Sequence, residues 1–231
     1  MKDNDFSDTT PGRFPFSRYF CMNDRRRGRF VFRRSALRRT PGDGNRNRDD
    51  MQKITNEELG RPTPEAFAAQ EKLPVTVVLD NVRSANNVGA FFRTGDAFGI
   101  ERIVLCGITA TPPSREIHKS ALGAELTVAW EYAPSTVEAV VRLRTEGYAV
   151  LAVEQVRGAV PLDRLDGADF GGSDRFALVF GNEVDGVRQE VVDLCRGAVE
   201  IPQVGTKHSL NVAVSGGVVL WEFFRRLAGS R

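Results

Sequence analysis

The sequence has few residues of the kinds that build metal sites and disulfide frameworks. Its 231 residues include three cysteines, Cys21, Cys106 and Cys195, which stand far apart without a Cys-x-x-Cys spacing. An odd number of cysteines without metal-ligand pairing argues against a disulfide framework and indicates a reducing compartment. The two histidines, His118 and His208, are too few and too isolated to indicate a zinc site. We therefore expect a protein that binds no metal.

Long apolar runs and nucleotide-binding loops are also missing. No run approaches about 18 apolar residues, and the polar start of the chain lacks the apolar stretch of a secretory signal. These absences predict a soluble cytoplasmic protein without a membrane partner. No Gly-x-Gly-x-x-Gly follows a predicted strand, and no glycine-rich loop ends in Gly-Lys-Ser/Thr, which disfavours nicotinamide, flavin and P-loop enzymes. A Ser-His-Asp hydrolase is a poor alternative, because Ser209 follows His208 without a glycine-flanked nucleophile turn.

Charge is unevenly distributed along the chain. Residues 1–50 contain 13 Lys and Arg against 7 Asp and Glu, whereas residues 51–231 contain 19 against 23. The first segment has little periodic apolar character, so we interpret it as a basic, mobile arm. Arginines interleaved with phenylalanines suit phosphate contacts and base stacking, with a solubilising tail as the competing interpretation. The candidate RNA-binding residues of the arm are Arg25, Arg26, Arg27, Arg29, Arg33 and Arg34.

The rest of the chain alternates between predicted strands and helices. A helical linker is predicted over residues 51–73, because Thr63-Pro64-Glu65 is typical of a helix start. Apolar runs without polar alternation predict strands covered on both faces: Val75–Leu79, Ile103–Leu105, Ala149–Val153, Phe176–Phe180 and Ala198–Ile201. The predicted helices are Val88–Phe98, Thr136–Arg144, Arg188–Leu194 and Leu210–Leu227. This alternation favours an α/β domain over residues 74–231, with a parallel sheet flanked by helices.

Apolar residues in the last predicted helix recur at three- and four-residue steps, which predicts that this side faces the core. They are Leu210, Val214, Val218, Trp221, Phe224 and Leu227. Gly216 and Gly217 interrupt the pattern and cost helix propensity unless another part of the chain packs closely there.

Three segments place polar residues and glycines at or just after the ends of predicted strands. They are Asn86–Arg93, Val179–Glu183, and Ile201-Pro202 running on to Ser209-Leu210-Asn211. Ligands of open α/β sheets bind outside the carboxyl ends of the strands, so the three segments predict the walls of one pocket.

Each segment alone also fits an ordinary structural role. Asn87 can cap a helix that begins near Val88, Gly89 permits close packing, and Arg93 then follows one turn later. The two glycines of Gly181–Gly186 fit a strand-to-helix turn. The individual segments therefore leave structural and functional interpretations open.

Taken together, the order Asn-x-Gly-x-x-x-Arg, Gly-Asn-Glu and Ser-Leu-Asn resembles the SpoU (TrmH-like) branch of the SPOUT RNA methyltransferases, over roughly residues 75–227. The stretch Lys119–Glu125 is similar to a further element of that family. The resemblance implies an α/β domain with a C-terminal deep trefoil knot, a rare topology, and a homodimer. It also implies S-adenosylmethionine as cofactor and methyl transfer to a ribose 2′-hydroxyl of RNA, with transfer RNA slightly favoured over ribosomal RNA.

The same resemblance assigns site residues. It implies that Gly181, Ile201 and Leu210 line the cofactor cleft, and a looser match adds Glu154 as another wall. Arg93 is implied to be the catalytic residue. Because a free guanidinium is a very poor base, Arg93 either transfers the hydroxyl proton with help from an RNA phosphate, or positions that phosphate and stabilises the alkoxide. The residues implied to orient Arg93 and the ribose are Asn87, Glu183, Ser209 and Asn211.

Two other functions compete with this hypothesis. One is a knotted RNA-binding assembly factor without catalysis, and the other is a SPOUT methyltransferase that modifies a nucleobase. The joint presence of Arg93, Glu183, Ser209 and Asn211 favours catalysis over binding alone. The pairing of Asn-x-Gly-x-x-x-Arg with Ser-Leu-Asn favours ribose over base.

Overall fold

A computed structural model of the chain describes residues 22–24, 29–31, 52–55, 57–166 and 172–228. The chain divides into two compact units, residues 1–52 and residues 53–231. In the first unit, β1 (Met22–Asp24) pairs antiparallel with β2 (Arg29–Val31). The backbone of Arg29 therefore lies in a strand. The predicted mobility of the arm and its other candidate arginines, 25 to 27, 33 and 34, lie outside the described residues.

Seven strands of the second unit form one sheet in which every pairing is parallel. They are β3 (Leu73–Asp80), β4 (Ile100–Cys106), β5 (Trp130–Ala133), β6 (Ala149–Val153), β7 (Val160–Pro161), β8 (Phe176–Phe180) and β9 (Gly197–Glu200). Their order across the sheet is β5-β4-β3-β8-β6-β9-β7. Strand β8 is buried at every position, which explains an apolar sequence without polar alternation.

Helices cover both faces of this sheet. Helix α1 (Pro64–Ala68) buries none of its residues, and the covering helices are α2 (Ala85–Phe98), α3 (Arg115–Ala121), α4 (Thr136–Thr145), α5 (Gln189–Val192) and α6 (Val212–Ala228). On one face, α2, α3 and α6 contribute Phe91, Ile117 and Phe223 to the core. On the other face, α4 and α5 contribute Leu143 and Val191. None of the helices in the described ranges has the length and apolar character needed to cross a lipid bilayer.

The predicted α/β architecture with a parallel sheet is confirmed, and all five predicted strands are present. The sequence patterns missed the two outermost strands, β5 and β7, and helix α3. Strand β5 leaves Trp130 and Tyr132 exposed, and β7 has only two residues, so neither carries the signature of a buried strand. Helix α3 buries only Ile117 and Ala121, too few for a periodic apolar pattern.

Helix α2 begins earlier than its sequence suggested, and a different residue caps it. The side-chain oxygen of Ser84 accepts a hydrogen bond from the backbone N–H of Asn87 at 3.3 Å, so the helix starts at Ala85. The prediction that Asn87 caps a helix beginning near Val88 is therefore wrong. Because Ser84 supplies the cap, the side chain of Asn87 is available for contacts with other segments.

Helix α6 turns only part of its predicted apolar side toward the core: Leu227 packs there, whereas the part nearer the start of the helix faces outward. Val214, Val218 and Trp221 are 54%, 40% and 49% exposed, and the buried residues are Gly216, Val219, Leu220 and Phe223. A Cβ atom on Gly216 would lie 2.3 Å from Cε1 of Phe91, so α6 approaches α2 most closely at its smallest residue. That contact rotates the Val214–Val218–Trp221 side outward. The expectation of close packing is confirmed at Gly216, whereas a Cβ at Gly217 would meet nothing within 4 Å.

Candidate active site

The candidate site lies at the carboxyl ends of four neighbouring strands, β3, β8, β6 and β9. Residues 81–84 follow β3, Gly181 follows β8, Glu154 follows β6 and Ile201 follows β9. Because these strands are parallel, their carboxyl ends meet at one edge of the sheet. The polar segments predicted to share a pocket therefore leave the sheet side by side.

Three of the predicted catalytic residues are joined by hydrogen bonds. The side-chain amide of Asn87 donates to Oε1 of Glu183 at 2.9 Å. The side-chain amide of Asn211 donates to Oδ1 of Asn87 at 3.2 Å. The first turn of α2, the turn after β8 and the residue before α6 thus meet in one cluster, which we call the Asn87–Glu183–Asn211 cluster.

Glu183 is the acceptor at one end of this cluster. Besides the Asn87 amide, its carboxylate accepts the backbone N–H groups of Arg83 and Ser84, each at 3.3 Å. Partial burial would raise the pKa of Glu183. The hydrogen bonds from Asn87 and from the backbone of Glu183, Arg83 and Ser84 outweigh burial and lower that pKa below its ordinary value. Glu183 is therefore an ionised acceptor at neutral pH rather than a proton donor.

Both polar atoms of the Asn211 side chain form hydrogen bonds. Its Oδ1 accepts the backbone N–H groups of Ala213 at 2.9 Å and Val214 at 3.3 Å, which caps the start of α6. Its amide nitrogen donates to Asn87. The cap orients the side chain, so the contact with Asn87 follows from the way α6 begins.

The turn after β8 is closed so tightly that its first residue must be glycine. A Cβ on Gly181 would lie 1.9 Å from the carbonyl carbon of Gly186 and 2.1 Å from the nitrogen of Val187. Oδ1 of Asn182 accepts the N–H groups of Val184 and Asp185, both at 2.8 Å, which holds the turn. The wall that Gly181 offers is therefore made of backbone.

A groove of about 310 Å³ opens beside β6 and β9. Its lining residues are Gln155, Glu200, Ile201, Pro202 and Gln203. The predicted cofactor residue Ile201 is thus in the groove wall. The other three predicted residues are not among the lining: Gly181 is buried in its turn, Leu210 is 39% exposed, and Glu154 directs its carboxylate toward backbone N–H groups.

Arg93 and Ser209 stand apart from the Asn87–Glu183–Asn211 cluster. Both are exposed, and the side chain of neither forms a hydrogen bond or ion pair with another residue of the described ranges. Asn87 and Arg93 are six residues apart on α2, which separates their side chains by about 120° around the helix axis. The orientation of Arg93 by its predicted neighbours therefore stays a prediction.

Two residues at this edge were not predicted. Ser84 caps α2, and a serine just before the predicted helix was the available signal. Asp80, the last residue of β3, is buried and accepts hydrogen bonds from Thr136, Asn81 at 2.8 Å and Arg188 at 3.4 Å. An aspartate that ends a buried strand was the available signal. Within the described ranges, no group of three or more His, Cys, Asp or Glu side chains is placed to hold a metal ion.

Similarity to known proteins agrees with this geometry. The model of the SpoU rRNA Methylase family matches residues 74–221. A 23S rRNA (guanosine-2′-O-)-methyltransferase from Vibrio cholerae is 29% identical over 164 residues, which cover 71% of this chain and 64% of that protein. An AdoMet-bound rRNA methyltransferase from Sinorhizobium meliloti superposes with a TM-score of 0.61 at 30% identity, covering 68% of this chain and 58% of the other.

A third relative is a structure described as giving insights into the 2-OH methylation of C/U34 on tRNA. It superposes with a TM-score of 0.57 at 29% identity and covers 67% of this chain and 97% of the other. The chain spans less than two thirds of the length of the Vibrio cholerae and Sinorhizobium meliloti proteins. Because the family match extends over most of the sheet and includes Asn87, Arg93, Glu183 and Asn211, the chain belongs to the SpoU rRNA Methylase family.

Proposed function

We propose that this chain transfers a methyl group from S-adenosylmethionine to a ribose 2′-hydroxyl of RNA. The observation that carries the proposal is the Asn87–Glu183–Asn211 cluster, which gathers three segments of a SpoU-family chain at the carboxyl edge of its sheet. Relatives named for RNA 2′-O-methylation and a relative that holds AdoMet support it.

The edge of the sheet offers the mixture of apolar and polar groups that small-molecule sites combine. The groove combines apolar Ile201 and Pro202 with polar Gln155, Gln203 and Glu200, and the turn at Gly181 offers backbone groups without a side chain. We assign Gly181, Ile201 and Leu210 as the residues that hold the cofactor. When bound, the cofactor supplies a methyl group on a sulfonium, which is already activated for transfer.

We assign the remaining predicted residues to the ribose and to its hydroxyl proton. Ionised Glu183 holds the Asn87 amide, and Asn211 holds the Asn87 carbonyl, so these side chains form a pre-oriented polar surface. Arg93 is exposed and unpaired among the described residues, which leaves its guanidinium available to an RNA phosphate. In this role it positions the ribose and either passes on the hydroxyl proton or stabilises the alkoxide. Ser209 is assigned to the same ribose-facing group.

RNA recognition is assigned to Arg93 together with the arginines of residues 25–34. If the arm contacts RNA phosphates, a chain lacking residues 1–50 binds RNA more weakly, and its affinity depends less steeply on salt. Unchanged affinity and unchanged salt dependence would assign the arm to solubility alone.

A homodimer and a C-terminal trefoil knot belong to the same proposal. The exposed apolar side of α6, formed by Val214, Val218 and Trp221, supports a partner surface. The segment after β9 runs past the neighbouring strands β6 and β8 to reach Asn87, and this path supports a knotted crossing. An experimental structure that traces residues 201–211 relative to the turn at 181–187 tests the knot.

Mapping of 2′-O-methylated nucleotides in total RNA, with and without the protein and S-adenosylmethionine, tests the function. We expect new methylation at one or a few ribose positions. The preference for transfer RNA stays a prediction, and this map decides between transfer and ribosomal RNA. Methylation confined to a nucleobase would support the competing SPOUT activity, and tight RNA binding without transfer would support the inactive assembly factor.

A further inference from the structure

Strand β6 ends between the two loops assigned to the cofactor cleft. In the sheet it lies between β8, which leads to the turn at 181–187, and β9, which leads to the segment 201–211. The first two residues after β6 are Glu154 and Gln155. They are therefore placed to contact both loops.

Glu154 holds the first of these loops through its backbone. Its Oε2 accepts the N–H of Val187 at 2.9 Å, and its Oε1 accepts the N–H of Gln155 at 2.9 Å. Gly186 has φ +67°, and a Cβ there would lie 2.2 Å from Oε2 of Glu154. The carboxylate reaches the turn only because residue 186 is glycine.

The position of the Gly186–Val187 backbone in turn determines the position of Gly181. A Cβ on Gly181 would overlap the carbonyl group of Gly186 and the nitrogen of Val187, at 1.9 to 2.1 Å. No side chain separates the two parts of the turn. A displacement at Val187 is therefore transmitted to the backbone wall at Gly181.

Gln155 holds the second loop. Its Nε2 donates to the backbone oxygen of His208 at 3.0 Å, just before Ser209 and Leu210. Within the described ranges, this is the only hydrogen bond made by residues 202–209, all of which are exposed. Residues 202–209, which lead to Leu210 and Asn211, are thus held by one hydrogen bond, from the second residue after β6.

We propose that Glu154 and Gln155 are positioning residues that set the spacing of the two cofactor loops. This inference rests on the proposed function, because that function assigns the cleft to S-adenosylmethionine. It replaces the role of Glu154 as a cleft wall, since both of its carboxylate oxygens are engaged with backbone N–H groups. Gln155 also lines the groove beside β6 and β9, but neither residue is assigned a contact with the reacting atoms.

An isosteric substitution tests the role of Gln155. Gln155→Glu keeps the shape of the side chain but replaces the donor to His208 with an acceptor, whereas Gln155→Lys keeps a donor. We expect Gln155→Glu to raise the dissociation constant for S-adenosylmethionine about 2- to 10-fold, the range expected for one lost hydrogen bond, and Gln155→Lys to restore part of the affinity. Arg157→Ala is the matched control, because Arg157 is exposed on the same connection.

Two further measurements separate positioning from general stability and from direct cofactor contact. Without cofactor, amide hydrogen exchange over residues 202–209 rises in Gln155→Glu and stays unchanged in Arg157→Ala. Glu154→Gln, which places an amide group where two N–H groups now donate, raises the KM for S-adenosylmethionine while the KM for RNA stays within about twofold.

Equal cofactor affinity of the unaltered chain and Gln155→Glu would overturn this assignment alone, as would unchanged exchange over residues 202–209. If Gln155→Glu and Glu154→Gln both lost stability and RNA affinity together, the two residues would have a general folding role. That result would also overturn the assignment. Absence of S-adenosylmethionine binding by the unaltered chain would overturn the proposed function and this assignment together.

Discussion

The side chains of Asn87 and Asn211 are joined by a hydrogen bond of 3.2 Å, although 124 positions separate them in the chain. Asn211 donates this bond while its oxygen caps α6. Contact with the site and the start of the last helix therefore depend on one side chain, and substitutions can separate the two roles.

At Asn211, aspartate keeps the capping oxygen and alanine removes it. We expect Asn211→Ala to lower the free energy of unfolding by about 1 kcal/mol, the usual value of an N-cap, whereas Asn211→Asp stays close to the unaltered chain. Both variants lose the donor to Asn87, so both lose methyl transfer. Urea unfolding and a methyl-transfer assay measure the two effects. Full activity in Asn211→Asp would remove Asn211 from the ribose-facing group.

Substitution of Arg93 is expected to separate cofactor binding from methyl transfer. Arg93 is exposed on α2, away from the groove beside β6 and β9. Arg93→Ala therefore retains S-adenosylmethionine affinity, measured by calorimetry, and loses methyl transfer by more than about 100-fold, as for loss of a transition-state donor. Arg144→Ala, which removes an exposed arginine on α4, is the control. Normal turnover by Arg93→Ala would end its assignment as the catalytic residue.

Glu183 gives the stability of the chain a defined pH dependence. Its pKa in the folded chain lies below the ordinary value near 4.5, so its hydrogen bonds stabilise the fold fully above that value. The contribution is lost as pH falls through the lowered folded pKa. Glu183→Gln is therefore less stable than the unaltered chain at pH 7 and 5, and the difference shrinks toward pH 3. Urea unfolding at these pH values measures it. A difference that stays constant down to pH 3 would contradict the ionised state.

Alanine substitutions at the two adjacent glycines of α6 are expected to change the stability of the chain in opposite directions. A Cβ at Gly216 would collide with the ring of Phe91, whereas a Cβ at Gly217 meets open space. Gly216→Ala is expected to destabilise the chain by about 1–3 kcal/mol through overpacking. Gly217→Ala is expected to stabilise it by about 0.5–1 kcal/mol through helix propensity. Thermal unfolding of both variants measures the two signs, and equal effects would contradict the packing of α6 on α2.

The outward apolar side of α6 predicts a change of oligomeric state. Val218 on α6 and Val141 on α4 are 40% and 45% exposed, respectively. If α6 forms the homodimer surface, Val218→Glu produces a monomer in light scattering, because it places a charge in an apolar interface. Val141→Glu, with similar exposure on another helix, leaves the dimer intact. A monomeric unaltered chain, or a dimeric Val218→Glu variant, would exclude this surface.

The sequence was sufficient for the central sheet because its strands are buried on both faces and read as uninterrupted apolar runs. The patterns failed where burial is partial. Trp130 and Tyr132 of β5 are exposed at the edge of the sheet, and α3 buries too few residues to show a period. In α6 the periodic side was real, but Val214, Val218 and Trp221 face outward, because the contact between Gly216 and Phe91 determined the rotation of the helix. Periodicity identifies an apolar side but does not say what covers it.

For the site, motif order predicted the meeting of Asn87, Glu183 and Asn211, since strand ends determine where each segment leaves the sheet. It did not predict which atom each side chain contacts. The engagement of Glu154 with the backbone of Val187 depends on the conformation of Gly186, which no pattern of residue types encodes. Backbone contacts of this kind become visible only in three dimensions.

The carboxylate of Asp80 joins the end of β3 to one of the two helical layers. It ends β3 beneath the site, yet its partners Thr136 and Arg188 belong to the layer that contains α4 and α5. Loss of either partner would leave the buried carboxylate of Asp80 less compensated. The resulting loss of stability would arise at the end of β3 rather than at the altered residue. Substitutions in the α4–α5 layer are therefore limited not only by packing but also by the need to compensate the carboxylate of Asp80.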